Sequence, residues 1–227
     1  MRYNLKNNSH QDSSFIPYIL IILVCCFGLE QATYGQSHSD KDKNGIVSGG
    51  IGIGLGIFYP GDINEYIQDE TSNLLMTTGF AEMITNFFFR ASLSVRPHQI
   101  IELNFFAEYG WAPKFIYVND SNSYYFSFTR ISPGFSPRIH IPIGSGRHSL
   151  FFAPGVTYNF MKFKDSQVRG EVAMAHSPGW RAQMGFDLNL RKITLKPYVG
   201  YDSARGNDQG TMNLNYSGGQ AGIELHF

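Results

Sequence analysis

The chain holds only two cysteines in 227 residues, and they are neighbours, Cys25 and Cys26. Adjacent cysteines rarely bridge each other, so a disulfide framework is excluded, and so is a cysteine-based zinc site. Charge is also scarce. Asp, Glu, Lys and Arg make up 16% of the residues, against ~25% in an ordinary soluble domain. The 18 basic and 18 acidic residues cancel and the pI is about 7.1, so no electrostatic case for nucleic acid exists. Beyond the N-terminal region no run approaches the ~18 consecutive apolar residues of a membrane helix. Mean hydropathy is −0.18, so hydropathy alone signals no membrane. What is plentiful is aromatic residues, at 15%, with 19 Phe and 13 Tyr, and glycine, with 24. Few charges, many rings and many glycines suit β-strands whose outer face meets something oily.

The one apolar run, "FIPYILIILVCCFGL" over 15–29, follows Arg2 and Lys6. It is too short to span comfortably as a helix, which needs ~20 residues. A basic start, a short apolar stretch and then "EQATYGQS" match a secretory signal. Thr33 and Gly35 are small enough for the cleavage pockets, which places the cut near Gly35/Gln36 and the signal over 1–35. An uncleaved anchor and a lipoprotein signal are the alternatives. The second is disfavoured because Val24 or Cys25 would stand where a small residue is expected. Residues 36–45 read as a short solvated periplasmic lead-in.

From residue 46 the chain alternates with period two, in eight segments. The first, about 46–58, sets Val47, Ile51, Ile53, Leu55 and Ile57 against Ser48, Gly50, Gly52, Gly54 and Gly56. Further segments are expected near 84–95, 100–112, 124–143, 149–163, 179–190, 193–203 and 212–227. Period two puts alternate side chains on opposite faces of a strand. Alternation does not say which face is buried. Three other features do. Short joints ("RPHQ", "GSGRH", "RK") alternate strictly with longer ones, the asymmetry of transmembrane barrels with tight periplasmic turns and longer external loops. Tyr59, Trp111, Tyr117, Tyr124, Tyr158, Trp180, Tyr201 and Tyr216 gather toward one end of the segments, as aromatic girdles do. The third feature is the ending "QAGIELHF", apolar at every second residue to the last position. Closing a barrel pairs the last strand with the first and leaves no edge.

Gln220, Gly222, Leu225 and Phe227 in that ending resemble the C-terminal β-signal of outer-membrane proteins. The resemblance implies insertion by the barrel-assembly machinery. The region 46–227 as a whole resembles the small eight-stranded outer-membrane barrels of the OmpA and OmpX kind. It implies an all-β, antiparallel, up-and-down transmembrane barrel in the bacterial outer membrane, facing outer-membrane lipid and lipopolysaccharide. Ten strands is the alternative, if the stretch around Phe115–Val118 forms an extra hairpin.

Some residues strain this pattern. Pro133, Pro137, Pro154 and Pro197 fall inside segments, and each removes a ladder hydrogen bond, so bulges or local breaks are expected there. In the last segment Leu214 and Tyr216 have the opposite parity to Ala221, Ile223, Leu225 and Phe227, which points to a bulge at Gly218-Gly219. Asp62 followed by Glu65 has capping-box spacing and suggests a short helix near 63–69.

The lumen of an eight-stranded barrel is just wide enough for side chains to fill. Arg90, Glu102, Glu108, Arg130, Arg138, Arg181 and Asp187 would face it and must pair, since isolated buried charges are prohibitively costly. His140 and His226 would be inward, solvated polar fillers near the periplasmic end, or a titrating pair. The glycines of "GGIGIGLG" fit interior crowding better than a phosphate loop, having no helix or Lys after them. His176-Ser177 raises lipid hydrolysis, because a nucleophile needs an adjacent base. Adjacent residues on a strand point to opposite faces, however, so no catalytic residue, cofactor or metal is assigned. The expected role is a non-enzymatic barrel that is structural or contacts an unknown surface or periplasmic protein. Alternatives are a narrow pore, a secretion-system accessory and, least favoured, a lipid A hydrolase.

Overall fold

The computed structural model of the chain describes residues 46–71, 83–119, 122–144, 148–167, 171–190, 193–208 and 212–227. The expected signal over 1–35 and the lead-in over 36–45 lie outside the described residues. The elements are β1 (Ile46–Gly61), α1 (Asp62–Thr71), β2 (Thr85–His98), β3 (Ile101–Asn119), β4 (Asn122–Ile143), β5 (His148–Asp165), β6 (Ala173–Leu190), β7 (Ile193–Asp208) and β8 (Met212–His226). Each strand pairs antiparallel with its sequence neighbour, and β8 pairs with β1, so the sheet is a closed eight-stranded barrel. At the seam Gly49 and Phe227 exchange both backbone hydrogen bonds, at 3.1 and 3.0 Å.

The apolar side faces outward. Ile53, Ile57 and Val156 are 62%, 69% and 61% exposed. Phe87, Phe89, Phe105, Phe152 and Phe186 join them in an apolar belt around the outer wall. A monomer in water rarely shows so much contiguous apolar surface. Tyr59, Trp111, Tyr158, Trp180 and Tyr201 also point outward. Tyr216 does not: it is buried in the lumen. Tyr117 and Tyr124 have side chains outside the described set.

The β2–β3, β4–β5 and β6–β7 connections, the short-turn side, share one end of the barrel with the start of β1 and the end of β8. The opposite connections are less uniform than the alternation of joints implies. Between β3 and β4 only residues 120–121 intervene. Ladder pairing continues out to Asn119 and Asn122. The stretch 115–118 therefore lengthens β3 instead of forming a separate hairpin, and the strand count is eight. At this connection the overlong strands β3 and β4 themselves project.

The four prolines sit in unshifted register. Pro133 pairs with Ala107 and Pro137 with Leu103, Pro154 with Ala182, and Pro197 with Ile223. The β4–β5 ladder lapses at both of the β4 prolines and resumes in the same frame. A missing donor thus costs a local bond without inserting a residue. Register shifts fall elsewhere, between Val95 and His98, Tyr117 and Asn119, and Tyr59 and Gly61. Nor does Gly218-Gly219 switch parity against β7, where pairing runs unbroken from Asp208↔Met212 to Thr194↔His226. Leu214 and Tyr216 point inward like Gln220, Glu224 and His226, so the lumen is apolar at that end.

Helix α1 explains that apolar stretch. Ile63, Tyr66, Ile67 and Thr71 recur at helical spacing and are buried, one face of an amphipathic helix. Ile63, Tyr66 and Ile67 pack with Phe58, Met83, Phe126, Phe128, Met161, Phe163, Met212, Leu214 and Tyr216 in one cluster. Polar ties hold the helix in place. Tyr66 Oη donates to Asp165 at 3.1 Å, the Met83 amide donates to Asn64 at 2.8 Å, and Asp62 accepts from the Asn213 amide at 2.9 Å. The end of the lumen opposite the short turns is filled by this apolar cap.

The glycines of β1 make room for the interior. A Cβ on Gly52 would stand 2.9 Å from Glu224 Cγ, and one on Gly54 would collide with the Phe88 ring and the Ala221 carbonyl. Gly219 faces outward, with the Gly200 carbonyl at 4.0 Å as its nearest neighbour. Gly54→Ala is expected to lower unfolding stability by ~1–3 kcal/mol, the usual cost of overpacking. Gly219→Ala should stay within ~0.5 kcal/mol. Urea titration of the refolded barrel in lipid vesicles checks both.

Candidate functional site in the barrel lumen

Inward positions are even-numbered in β1–β4, β7 and β8 and odd-numbered in β5 and β6. This parity brings Arg90, Glu102, Glu108, Arg130, Arg138, Arg181 and Asp187 together, all buried. Glu108 on β3 is the hub of the middle level. Arg90 Nη2 lies 2.6 Å from its Oε2, Arg181 Nη2 lies 3.2 Å from the same oxygen, and Arg130 bonds its Oε1. One carboxylate among three guanidinium groups needs further anions, and the last two strands supply them. Asp202 on β7 binds Arg181 at 2.5 Å and Arg130 at 3.1 Å. Glu224 on β8 binds Arg90 at 2.5 Å and Arg138 at 2.7 Å.

Nearer the short turns, Glu102 is the second hub. Lys196 Nζ lies 2.8 Å from it, Arg96 Nη2 2.6 Å and Arg138 Nη1 3.1 Å. His140 bridges Glu102 at 3.2 Å and Asp187 at 3.0 Å. His226 sits 2.9 Å from Glu224. The two histidines are therefore not solvated fillers. Both are buried and each answers to its own carboxylate, not to the other.

Aromatic rings carry the guanidinium planes. The Arg130 guanidinium carbon is 3.5 Å from the Tyr216 ring centroid, and that of Arg90 is 4.7 Å from Tyr198. Such contacts strengthen when desolvated. Tyr216 also accepts a hydrogen bond from Asn86 at 3.0 Å, and so joins the ionic level to the apolar cap above it.

Arg96, Lys196, Asp202 and Glu224 were not among the network residues expected from the sequence. Strand parity identifies three of them: Lys196 and Asp202 are on the polar face of β7, and Glu224 stands within the C-terminal ending itself. Arg96 has the same inward parity, in unbroken register with β1, but it lies one residue beyond the expected segment 84–95.

The C-terminal residues divide by face. Gln220 is inward and donates to Asp202 at 3.3 Å. Gly222 leaves room for Tyr198, whose Oη would lie 2.7 Å from a Cβ there. Leu225 pairs with Ile51 at the seam, and Phe227 ends it. His176 and Ser177 diverge, as adjacent strand residues must. His176 is exposed and shares a 2.7 Å hydrogen bond with Tyr158 Oη. Ser177 is buried in the lumen. They do not form a base–nucleophile pair.

No protein-family model and no curated protein matches the chain. Among solved structures, Neisserial surface protein A aligns with a TM-score of 0.52 at 10% identity, covering 81% of this chain and 98% of that one. The attachment invasion locus protein of Yersinia pestis aligns at 0.46 and 11% identity, covering 82% and 100%. At such identity the first likeness is one of fold.

Glu108→Gln leaves three buried guanidinium groups short of one anion. The expected loss is ~3–5 kcal/mol of unfolding stability, as for one partner removed from a buried ion pair, read by urea titration in lipid vesicles. With its closed antiparallel sheet, outward apolar belt and inward charges, the chain has the architecture of the small eight-stranded outer-membrane β-barrels.

Proposed function

We propose that this chain is a non-enzymatic bacterial outer-membrane barrel with a structural or surface-interaction role, exerted through the external rim rather than through the lumen. One observation carries the reading: the lumen is filled at successive levels. Paired charges from Glu102 to Asp202 occupy the turn side and middle. The aromatic and aliphatic cap around Ile63 and Ile67 occupies the external end. Solute passing through would have to part buried ion pairs and dislodge a helix. The outer wall supports lipid as the surrounding medium, and the C-terminal Gln220, Gly222, Leu225 and Phe227 fit a barrel-assembly signal. Neisserial surface protein A carries a surface protein's name, which agrees with action at the rim.

Cell fractionation should recover the chain with the outer membrane. In planar bilayers the refolded chain should give no stable conductance steps at moderate voltage. Replacing Ile63 and Ile67 together by Asp, which loosens the cap, should produce flickering current. Stable open-channel steps from the unaltered chain would replace this reading with that of a pore.

A further inference from the structure

Arg96 occupies an unusual place in the ionic network. Its Nη2 atom lies 2.6 Å from Glu102 Oε2, 3.0 Å from Asp187 Oδ2 and 3.2 Å from His140 Nε2. One nitrogen thus sits at the centre of three donor atoms from β3, β4 and β6. The same three residues offer one ligand atom each within 4.8 Å of one another. We propose that Glu102, His140 and Asp187 form a divalent-cation site of the zinc type at the turn-side mouth of the barrel, with the Arg96 guanidinium as its built-in competitor.

Four observations carry this. Glu102 Oε2 and His140 Nε2 are 3.2 Å apart. Tetrahedral zinc with bonds of ~2.0–2.1 Å to N and O ligands has edges of about 3.3 Å. The donor set of one imidazole and two carboxylates is one that zinc accepts, whereas calcium and magnesium prefer oxygen alone. His140 is oriented as metal-binding histidines are: its Nδ1 lies 3.3 Å from Ser149 Oγ, leaving Nε2 toward the centre. Finally, Asp187 is fully buried, yet its Oδ1 has no hydrogen-bond partner and only an ion-pair contact with Lys196 Nζ at 4.0 Å. Buried polar atoms are nearly always satisfied, and this is the second carboxylate oxygen of one of the three proposed ligands.

Arg96 is placed to leave. Its side chain is 30% exposed while those of its three partners are at most 2% exposed. It extends from the register shift beside the 99–100 turn. The other cations stay. Lys196 Nζ lies 2.8 Å from Glu102 and 4.0 Å from Asp187, and Arg138 lies 3.1 Å from Glu102. With Arg96 and Lys196 in place, the two carboxylates are already balanced. A divalent ion therefore binds well only when Arg96 swings out to water, which makes zinc binding by the unaltered chain weak.

The test uses the full tag-free chain extracted in detergent, titrated with zinc ions by calorimetry, with metal content measured after dialysis. Arg96→Ala and Arg96→Gln should each bind one zinc per chain at least tenfold more tightly than the unaltered protein. Arg96→Lys, which keeps a cation at the mouth, should stay near the unaltered value. Adding His140→Ala to Arg96→Gln should abolish the gain, with circular dichroism showing that the barrel is retained. If neither neutral Arg96 variant gains affinity, or if the gain survives loss of the His140 ring, the proposal is overturned. The outcome is independent of whether the lumen conducts.

Discussion

Everything in this barrel follows from the need to satisfy backbone hydrogen bonds in a medium that offers none. An open sheet in lipid would leave two rows of unpaired amides and carbonyls, each costing several kcal/mol. The seam between β1 and β8 removes them, with pairing from Gly50↔His226 out to Gly61↔Leu214. Once the sheet is closed with its apolar face outward, the polar face has nowhere to go but inside. The ionic lumen is thus a consequence of closure.

The inside then sets its own demands. Six cationic side chains, Arg90, Arg96, Arg130, Arg138, Arg181 and Lys196, meet five carboxylates, Glu102, Glu108, Asp187, Asp202 and Glu224. The charges interleave so that each carboxylate has at least two cationic neighbours, a histidine counting when protonated. Side chains this long need wall space. The β1 glycines provide it, since Phe88 and Glu224 lie where their Cβ atoms would be. Sequence features that look unrelated, a glycine-rich first strand and a charged last one, are two sides of a single packing solution.

Much of this was legible in the residues because a strand has an integer period. Parity assigned Arg90, Glu102, Glu108, Arg130, Arg138, Arg181 and Asp187 to one face, and the structure gathers them. Parity also misled where it was assumed that the inside must be polar. Leu214 and Tyr216 kept the inward beat all along, and a bulge was invoked to turn them out. What the sequence did not display was that the lumen changes character along its length. That change depends on α1 folding down onto Phe126, Phe128 and Phe163, side chains far away in sequence. At the prolines the ladder breaks locally, one of the two outcomes expected there, and no bulge forms. Losing one donor is a local matter, whereas shifting a ladder by one residue would turn every later side chain to the wrong face.

The apolar cap makes the two ends of the cylinder unequal. Arg96 at the turn side reaches solvent, while Ile63 and Ile67 at the far side are fully buried. The molecule is in effect a cup, polar within and stoppered at its external end. Its charged contents meet solvent through Arg96 on the turn side. A solute at the stoppered end would meet hydrocarbon, so the state of the charged contents would follow the solution at the turn side.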